Sequence, residues 1–183
     1  VSERLKRFNG VDSTVLYPPI FEPERFFCRQ FNDEIVYVCR MEHHKRQHLL
    51  ISAMALTKTP VRLRLCGSSS GPEYSAELKR LIASLGIEHK VTLEDRWITE
   101  QEKVDFLADC LAAAYLPEDE DSYGYPSIEA SHSSKAIITT NDSGGVLELV
   151  VDGVNGFVAA PAPGALAEAM DRLYSDKALA AEM

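Results

Sequence analysis

Two carboxylates separated by a Gly/Pro turn are the residues here with the most chemistry to offer. Asp121 and Glu129 bracket Gly124 and Pro126 in D-S-Y-G-Y-P-S-I-E. A carboxylate accepts hydrogen bonds from hydroxyl groups, so such a pair can hold a ribose and a second sugar at once. A general acid/base pair is another use of two carboxylates, and Asp121 also reads as the end of the solvated run P-E-D-E-D. One apolar run later comes D-S-G-G, residues 142–145, joining a strand to a helical turn. Glycines let backbone N–H groups approach an anion there, and the helix N-terminus adds partial positive charge. A tight turn without a ligand accounts for the same residues. Arg40 and Lys45 flank another strand-to-helix loop. An Arg fork and a Lys point charge across a phosphate-sized gap suit a diphosphate; a solvated basic loop is the plainer reading.

Other chemistries find less support. His43, His44 and His48 include a pair at helical i, i+4 spacing, but zinc needs a third ligand to which nothing points, so no metal is expected. The serines at 68–70 lack a P-loop context, and no nucleophile-elbow motif or Ser/His/Asp arrangement is present. Cys28, Cys39, Cys66 and Cys110 are widely spaced. Two of them sit in apolar strand-like runs, which reads as buried thiols in a reducing cytoplasm. A net charge of -9 argues against a nucleic-acid footprint. No apolar run approaches the roughly 20 residues of a membrane span, and no signal peptide is visible. The chain opens at Val1 without Met, as a fragment or processed product would.

The elements that must position these residues follow a regular rhythm. Residues 2–8 read as a helix tail stopped by Asn9-Gly10, residues 14–17 (T-V-L-Y) as a short strand, and Pro18, Pro19 and Pro23 as an extended lead-in. From residue 34 strands and helices alternate. Strands are predicted at 34–39, 61–66, 91–93, 111–116 and 136–140, then at F-V-A-A after the turn D-G-V-N-G. Helices are predicted at 47–56, 73–85 with Gly86 as the C-cap, from the T-E-Q-E capping box at 99–102 to Ala108, at 126–130, and at 165–174, with a helical turn at 147–151. That alternation specifies a single α/β, Rossmann-like domain with a roughly six-stranded parallel sheet and helices on both faces. Right-handed crossovers bring the loops at 40–45, 67–71, 94–98, 117–125 and 141–145 to one rim, where such sheets bind ligands.

Taken in order, these pieces resemble the C-terminal, donor-binding domain of family-4 retaining glycosyltransferases with the GT-B fold. The carriers are V-C-R-M-E-H-H-K, D-S-Y-G-Y-P-S-I-E-A and T-N-D-S-G-G-V-L-E-L-V-V-D-G-V-N-G-F-V, and the likeness runs from Y-P-P-I at Tyr17 to the region of Asp171. The resemblance divides the chain into a connector, 1–33, and a nucleotide-sugar domain, 34–183, truncated at its C-terminal end. It implies that Arg40 and Lys45 grip the diphosphate of a UDP- or GDP-type sugar and that Glu129 holds the ribose hydroxyls. Asp121 stands where the family has a glutamate that binds the donor sugar. Arg40, Lys45, Asp121 and Glu129 would be the catalytic set. Backbone amides of Ser122, Tyr123, Gly124 and Tyr125 would meet sugar and phosphate, and Trp97 and Ile98 would lie near the base. Gly67, Ile128, Gly144 and Gly145 complete the expected site.

No prosthetic group is implied. The acceptor, a glycan or a lipid-linked molecule, would be bound through a missing N-terminal domain, so this chain alone is expected to bind donor weakly and not to transfer sugar. Peripheral membrane association would belong only to the full-length protein. The alternative is a non-catalytic nucleotide-sugar-binding module with a degenerate sugar site, which the shorter Asp121 favours.

Overall fold

The computed structural model describes residues 2–120 and 123–183; Asp121 and Ser122 therefore lie outside the described residues. α1 (Ser2–Arg4) and a wider helical turn, Leu5–Asn9, open the chain. Gly10 ends them in the left-handed region, as the Asn-Gly stop predicts. The stretch 14–17 forms no strand, contrary to expectation. Val15 and Leu16 are exposed, and Pro18 and Pro19 follow with no N–H to give a ladder. β-propensity holds a strand only where a neighbouring strand offers packing.

The regular alternation begins at β1 (Glu34–Val38), whose Ile35, Val36 and Tyr37 are buried, as a strand covered on both faces requires. α2 (Gln47–Met54), β2 (Arg62–Cys66), α3 (Pro72–Leu85) and β3 (Val91–Glu94) follow. Gly86 terminates α3 in the left-handed region, as the sequence indicates. At α4 (Glu100–Asp109) the capping box forms in full: Thr99 Oγ1 accepts from the Glu102 amide and the Glu102 carboxylate accepts from the Thr99 amide. Then come β4 (Ala112–Ala114), α5 (Tyr125–His132), β5 (Ile137–Thr140), a 3-10 turn at Gly145–Glu148, β6 (Gly156–Ala159) and α6 (Pro163–Ser175). α7 (Lys177–Glu182) was not anticipated; Asp176 caps it through the Leu179 amide. β4 is shorter than the apolar run that announces it, and the 3-10 turn starts two residues before the predicted helical turn.

Among the described residues the six strands form one sheet in the order β3-β2-β1-β4-β5-β6, with all pairs parallel. Ile35 lies between Leu63 on one side and Ala112 on the other. The chain winds outward from β1 through β2 to β3, returns to β4 beside β1, and winds outward the other way. Right-handed crossovers then put α2 and α3 on one face and α4 and α5 on the other, and α6 packs beside α2 on the first face. The Asp171 carboxylate of α6 secures that contact by accepting from the amides of Lys58 and Thr59. Winding reverses between β1 and β4, so the loops leaving these two strands diverge and open a crevice.

Candidate functional site

Lys45 enters the crevice from the loop after β1. A 3-10 turn, His43–Lys45, brings it there. Its carbonyl accepts the Tyr37 hydroxyl at 2.7 Å, while the same hydroxyl accepts from the Leu116 amide at 3.1 Å. The two loops of the switch point are thus joined through one buried phenol. The Lys45 ammonium is buried, donating to Tyr115 Oη at 2.9 Å and to Glu120 Oε2 at 2.5 Å. Tyr115 Oη donates to the same carboxylate oxygen at 2.7 Å. Burial pushes the Glu120 carboxyl up, but the hydrogen bonds from Lys45 and Tyr115 outweigh it, and its pKa ends below the usual range. Arg40 differs: its side chain is 72% exposed and pairs with Glu42 at 3.1 Å. Lys45 is the buried cation of the predicted pair, and Arg40 is the outer, exposed one.

Arg46 was not singled out from the sequence, yet it does the most to assemble this rim. It adopts a left-handed backbone (φ 56°) that turns its side chain inward. Nη1 and Nη2 fork onto Asp142, each 2.8 Å from an oxygen. Nε donates to the Leu116 carbonyl, and Nη2 also lies within hydrogen-bond reach of the Pro117 carbonyl and Thr140 Oγ1. One side chain therefore joins the loops after β1, β4 and β5. A buried Arg beside a Lys in a polar loop looks like any solvated basic pair, so residue type alone carries no signal for this role.

The glycines serve the same assembly. The Gly145 amide donates to the Glu120 carbonyl at 2.6 Å and the Asp119 amide to the Asp142 carbonyl at 2.9 Å. The Gly145 amide is thus engaged within the protein, and for that residue D-S-G-G acts as the tight turn. Gly144 sits at φ 79°, and a Cβ there would lie 2.3 Å from the Glu120 carbonyl oxygen. Gly124 sits at φ 68° at the start of α5, where a Cβ would meet the Tyr115 ring at 2.3 Å. Gly67 is required by close approach to the Cys39 carbonyl, a backbone reason that accounts for it without a ligand.

Glu129 lies one turn into α5, buried against α4. Its carboxylate accepts from Lys103 Nζ at 2.6 Å, and Lys103 also pairs with Glu100. Burial raises the Glu129 pKa and Lys103 only partly opposes it. A cavity of about 190 Å³ opens beside it, walled by Ile20, Phe21, Phe26, Val104 and Tyr125, with Arg25 and Glu100 also on its lining. Mostly apolar walls with a buried carboxylate and two charged groups suit a ring that carries hydroxyls. Tyr125 is exposed and Ile128 half-buried. Tyr123 stacks on Tyr17 of the connector, ring centroids 5.1 Å apart. Trp97 is 76% exposed on the loop after β3, next to Arg96, which is held by Glu94 and Glu102; Ile98 is half-buried. The structure therefore brings Lys45, Glu120, Gly124 and Gly144 together, with Glu129 one helix turn away.

The histidines are engaged otherwise. The His43 ring packs against Tyr74 at a tilt, centroids 4.1 Å apart, and His48 Nδ1 lies 3.0 Å from the Tyr74 hydroxyl. Among the described residues no group of three His, Cys, Asp or Glu side chains is placed to hold a metal ion, and no helix is long and apolar enough to cross a membrane.

The family model described as glycosyl transferases group 1 matches residues 28–183. The chain belongs to that family. Among curated group 1 relatives, the mouse alpha-1,3/1,6-mannosyltransferase ALG2 is 32% identical over 111 residues, covering 61% of this chain and 26% of the relative. The alpha-maltose-1-phosphate synthase of Mycobacterium tuberculosis is 30% identical over 156 residues, covering 79% of this chain and 39% of the synthase. The chain thus spans well under half the length of these relatives. Among solved structures, Anabaena HepE in complex with UDP and glucose aligns with a TM-score of 0.74 at 28% identity, covering 82% of this chain and 41% of that one. The sucrose-phosphate synthase of Thermosynechococcus elongatus shares the fold at a TM-score of 0.82, covering 98% of this chain and 48% of that one. A GT-B, Rossmann-like domain of a glycosyltransferase family is what the sequence resemblance implies, and the fold and the family agree with it.

Proposed function

We propose that this chain is the donor-binding part of a retaining glycosyltransferase that takes a sugar from a UDP- or GDP-type donor. Residues 34–183 form the donor-binding domain and residues 1–33 the connector. The observation that supports this reading is the meeting of Lys45 with the loops of Gly124 and Gly144 at the switch point, with Glu129 farther along α5. In it Lys45, joined by the outer Arg40, binds the diphosphate. Glu129 accepts the ribose hydroxyls in the adjoining cavity, Trp97 and Ile98 border the base, and Asp121 takes the sugar hydroxyls. HepE, similar at 28% identity, is a structure in complex with UDP and glucose, which favours a uridine nucleotide. Stabilising the departing diphosphate is this domain's share of catalysis, because preorganised cations act most strongly where negative charge develops.

The acceptor, a glycan or lipid-linked molecule of polysaccharide, lipopolysaccharide or glycolipid synthesis, binds to a further domain. The four free cysteines suit a reducing, cytoplasmic setting, at the membrane face in the full-length enzyme. Calorimetric titration with UDP and GDP tests the reading. Micromolar to millimolar binding, weakened at least about tenfold in Lys45→Ala, is expected from loss of a charge-assisted contact; unchanged affinity in that variant would discard the diphosphate assignment.

A further inference from the structure

The charge of the buried Lys45 ammonium is already matched within the protein. Glu120 Oε2 lies 2.5 Å from Nζ, and Tyr115 Oη bonds to both. The two ends of the ion pair differ in freedom. The Lys45 side chain is 8% exposed and that of Glu120 29%, so the carboxylate is the end that reaches solvent. The Glu120 backbone is fixed, since its carbonyl takes the Gly145 amide and lies where a Gly144 Cβ would be. Rotation of the side chain about its own bonds releases Lys45 without disturbing either loop. A carboxylate and a phosphate oxygen seek the same ammonium protons, and an ammonium has only three.

We propose that Glu120 sets the affinity of the donor site: its carboxylate is an internal anion that the diphosphate displaces from Lys45, and that recaptures Lys45 when the nucleoside diphosphate leaves. The inference rests on the reading of Lys45 as a diphosphate ligand. Because the carboxylate is part of the chain, it competes at a high effective concentration. It weakens the hold on the product nucleotide as much as on the donor, which favours turnover where release is slow.

The test is titration of UDP and GDP into the chain and its Lys45→Ala, Glu120→Gln, Glu120→Asp and Lys45→Ala/Glu120→Gln variants. Glu120→Gln is expected to bind the preferred nucleotide about tenfold more tightly, with most of the change in the dissociation rate. Glu120→Asp keeps the charge but withdraws it from Lys45, and is expected to tighten binding in the same direction. The gain should vanish in the double variant. Unchanged or weaker binding in Glu120→Gln and Glu120→Asp would overturn the proposal, because Glu120 would then be holding Lys45 in place. An equal gain without Lys45 would overturn it as well, tracing the effect to net charge alone. If Lys45→Ala binds as the parent does, or if neither nucleotide binds the parent, the diphosphate reading itself fails and takes this inference with it. A Lys45→Ala loss with no Glu120 effect removes the inference only.

Discussion

Arg46 Nη1 and Nη2 meet the two Asp142 oxygens at 2.8 Å each, joining the residue that opens α2 to the loop that leaves β5. The Arg46 side chain is 9% exposed and that of Asp142 41%. Removing the arginine should therefore hurt far more than removing the carboxylate. Arg46→Gln leaves the Leu116 and Pro117 carbonyls and Thr140 short of a donor and is expected to lose about 3 kcal/mol. Asp142→Asn, half solvated, is expected to lose about 1 kcal/mol. Urea unfolding of the two single variants and the double variant checks both values and their coupling.

Acid stability follows from the same pair. The Arg46 hydrogen bonds hold the Asp142 pKa below its ordinary value. A depressed folded pKa contributes stability above the unfolded value, near 3.9, that is lost as pH falls through the folded one. Asp142→Asn should accordingly flatten the acid limb of a stability-versus-pH curve below about pH 4, and an unchanged limb would count against the pair.

The glycines offer an internal comparison. Gly124→Ala forces a methyl onto the Tyr115 ring and a side chain into φ 68°, whereas Gly86 and Gly153 have similar φ and nothing within 4 Å. Gly86→Ala and Gly153→Ala should cost about 1 kcal/mol from backbone strain alone. Gly124→Ala should exceed them by about 1–3 kcal/mol of overpacking, and Tyr115→Ala should abolish the excess. Thermal melts of the four variants make the comparison.

Nucleotide binding should weaken in acid at a higher pH than an ordinary glutamate would dictate. Burial raises the Glu129 pKa despite Lys103, and only the carboxylate accepts from two hydroxyls. UDP affinity is expected to fall as pH drops through that raised value, to fall at still higher pH in Lys103→Met, and to be nearly flat with pH in Glu129→Gln. Stability has the opposite sense: a raised folded pKa gives a contribution present below the unfolded value, near 4.3, and lost as pH rises through the folded one. Titration calorimetry and unfolding across the same buffers should therefore diverge.

At the start of α4, Thr99→Ala removes one acceptor of the capping box and is expected to lower stability by about 1 kcal/mol. Thr99→Ser should recover most of it in the same melt.

The sheet and its helices were legible because each rests on local signals: continuous apolar strands, the Thr99 box, glycine stops at Gly10 and Gly86. The rim was legible in part. Lys45 and Glu129 could be named because they sit at motif positions, and the glycine loops because glycine is rarely placed idly between a strand and a helix. What the sequence hid is pairing at a distance. Glu120 reads as one more charge in an acidic loop and Arg46 as one more in a basic one. Their placement follows from how β4 lies beside β1 and β5 beside β4, which no local pattern encodes. The 14–17 stretch failed for the converse reason: its residues suit a strand, but among the described residues no partner strand lies alongside.

Tyr37 has a consequence beyond its two hydrogen bonds. Its phenol is fully buried and burial drives its pKa well above the ordinary value, which favours the protonated form that bridges Lys45 and Leu116. The two arms of the crevice belong to opposite directions of winding, and this phenol ties them alongside the Arg46 and Lys45–Glu120 contacts that also join them. Tyr37→Phe should therefore loosen the two arms without parting them, since Arg46 and the Lys45–Glu120 pair still span the gap.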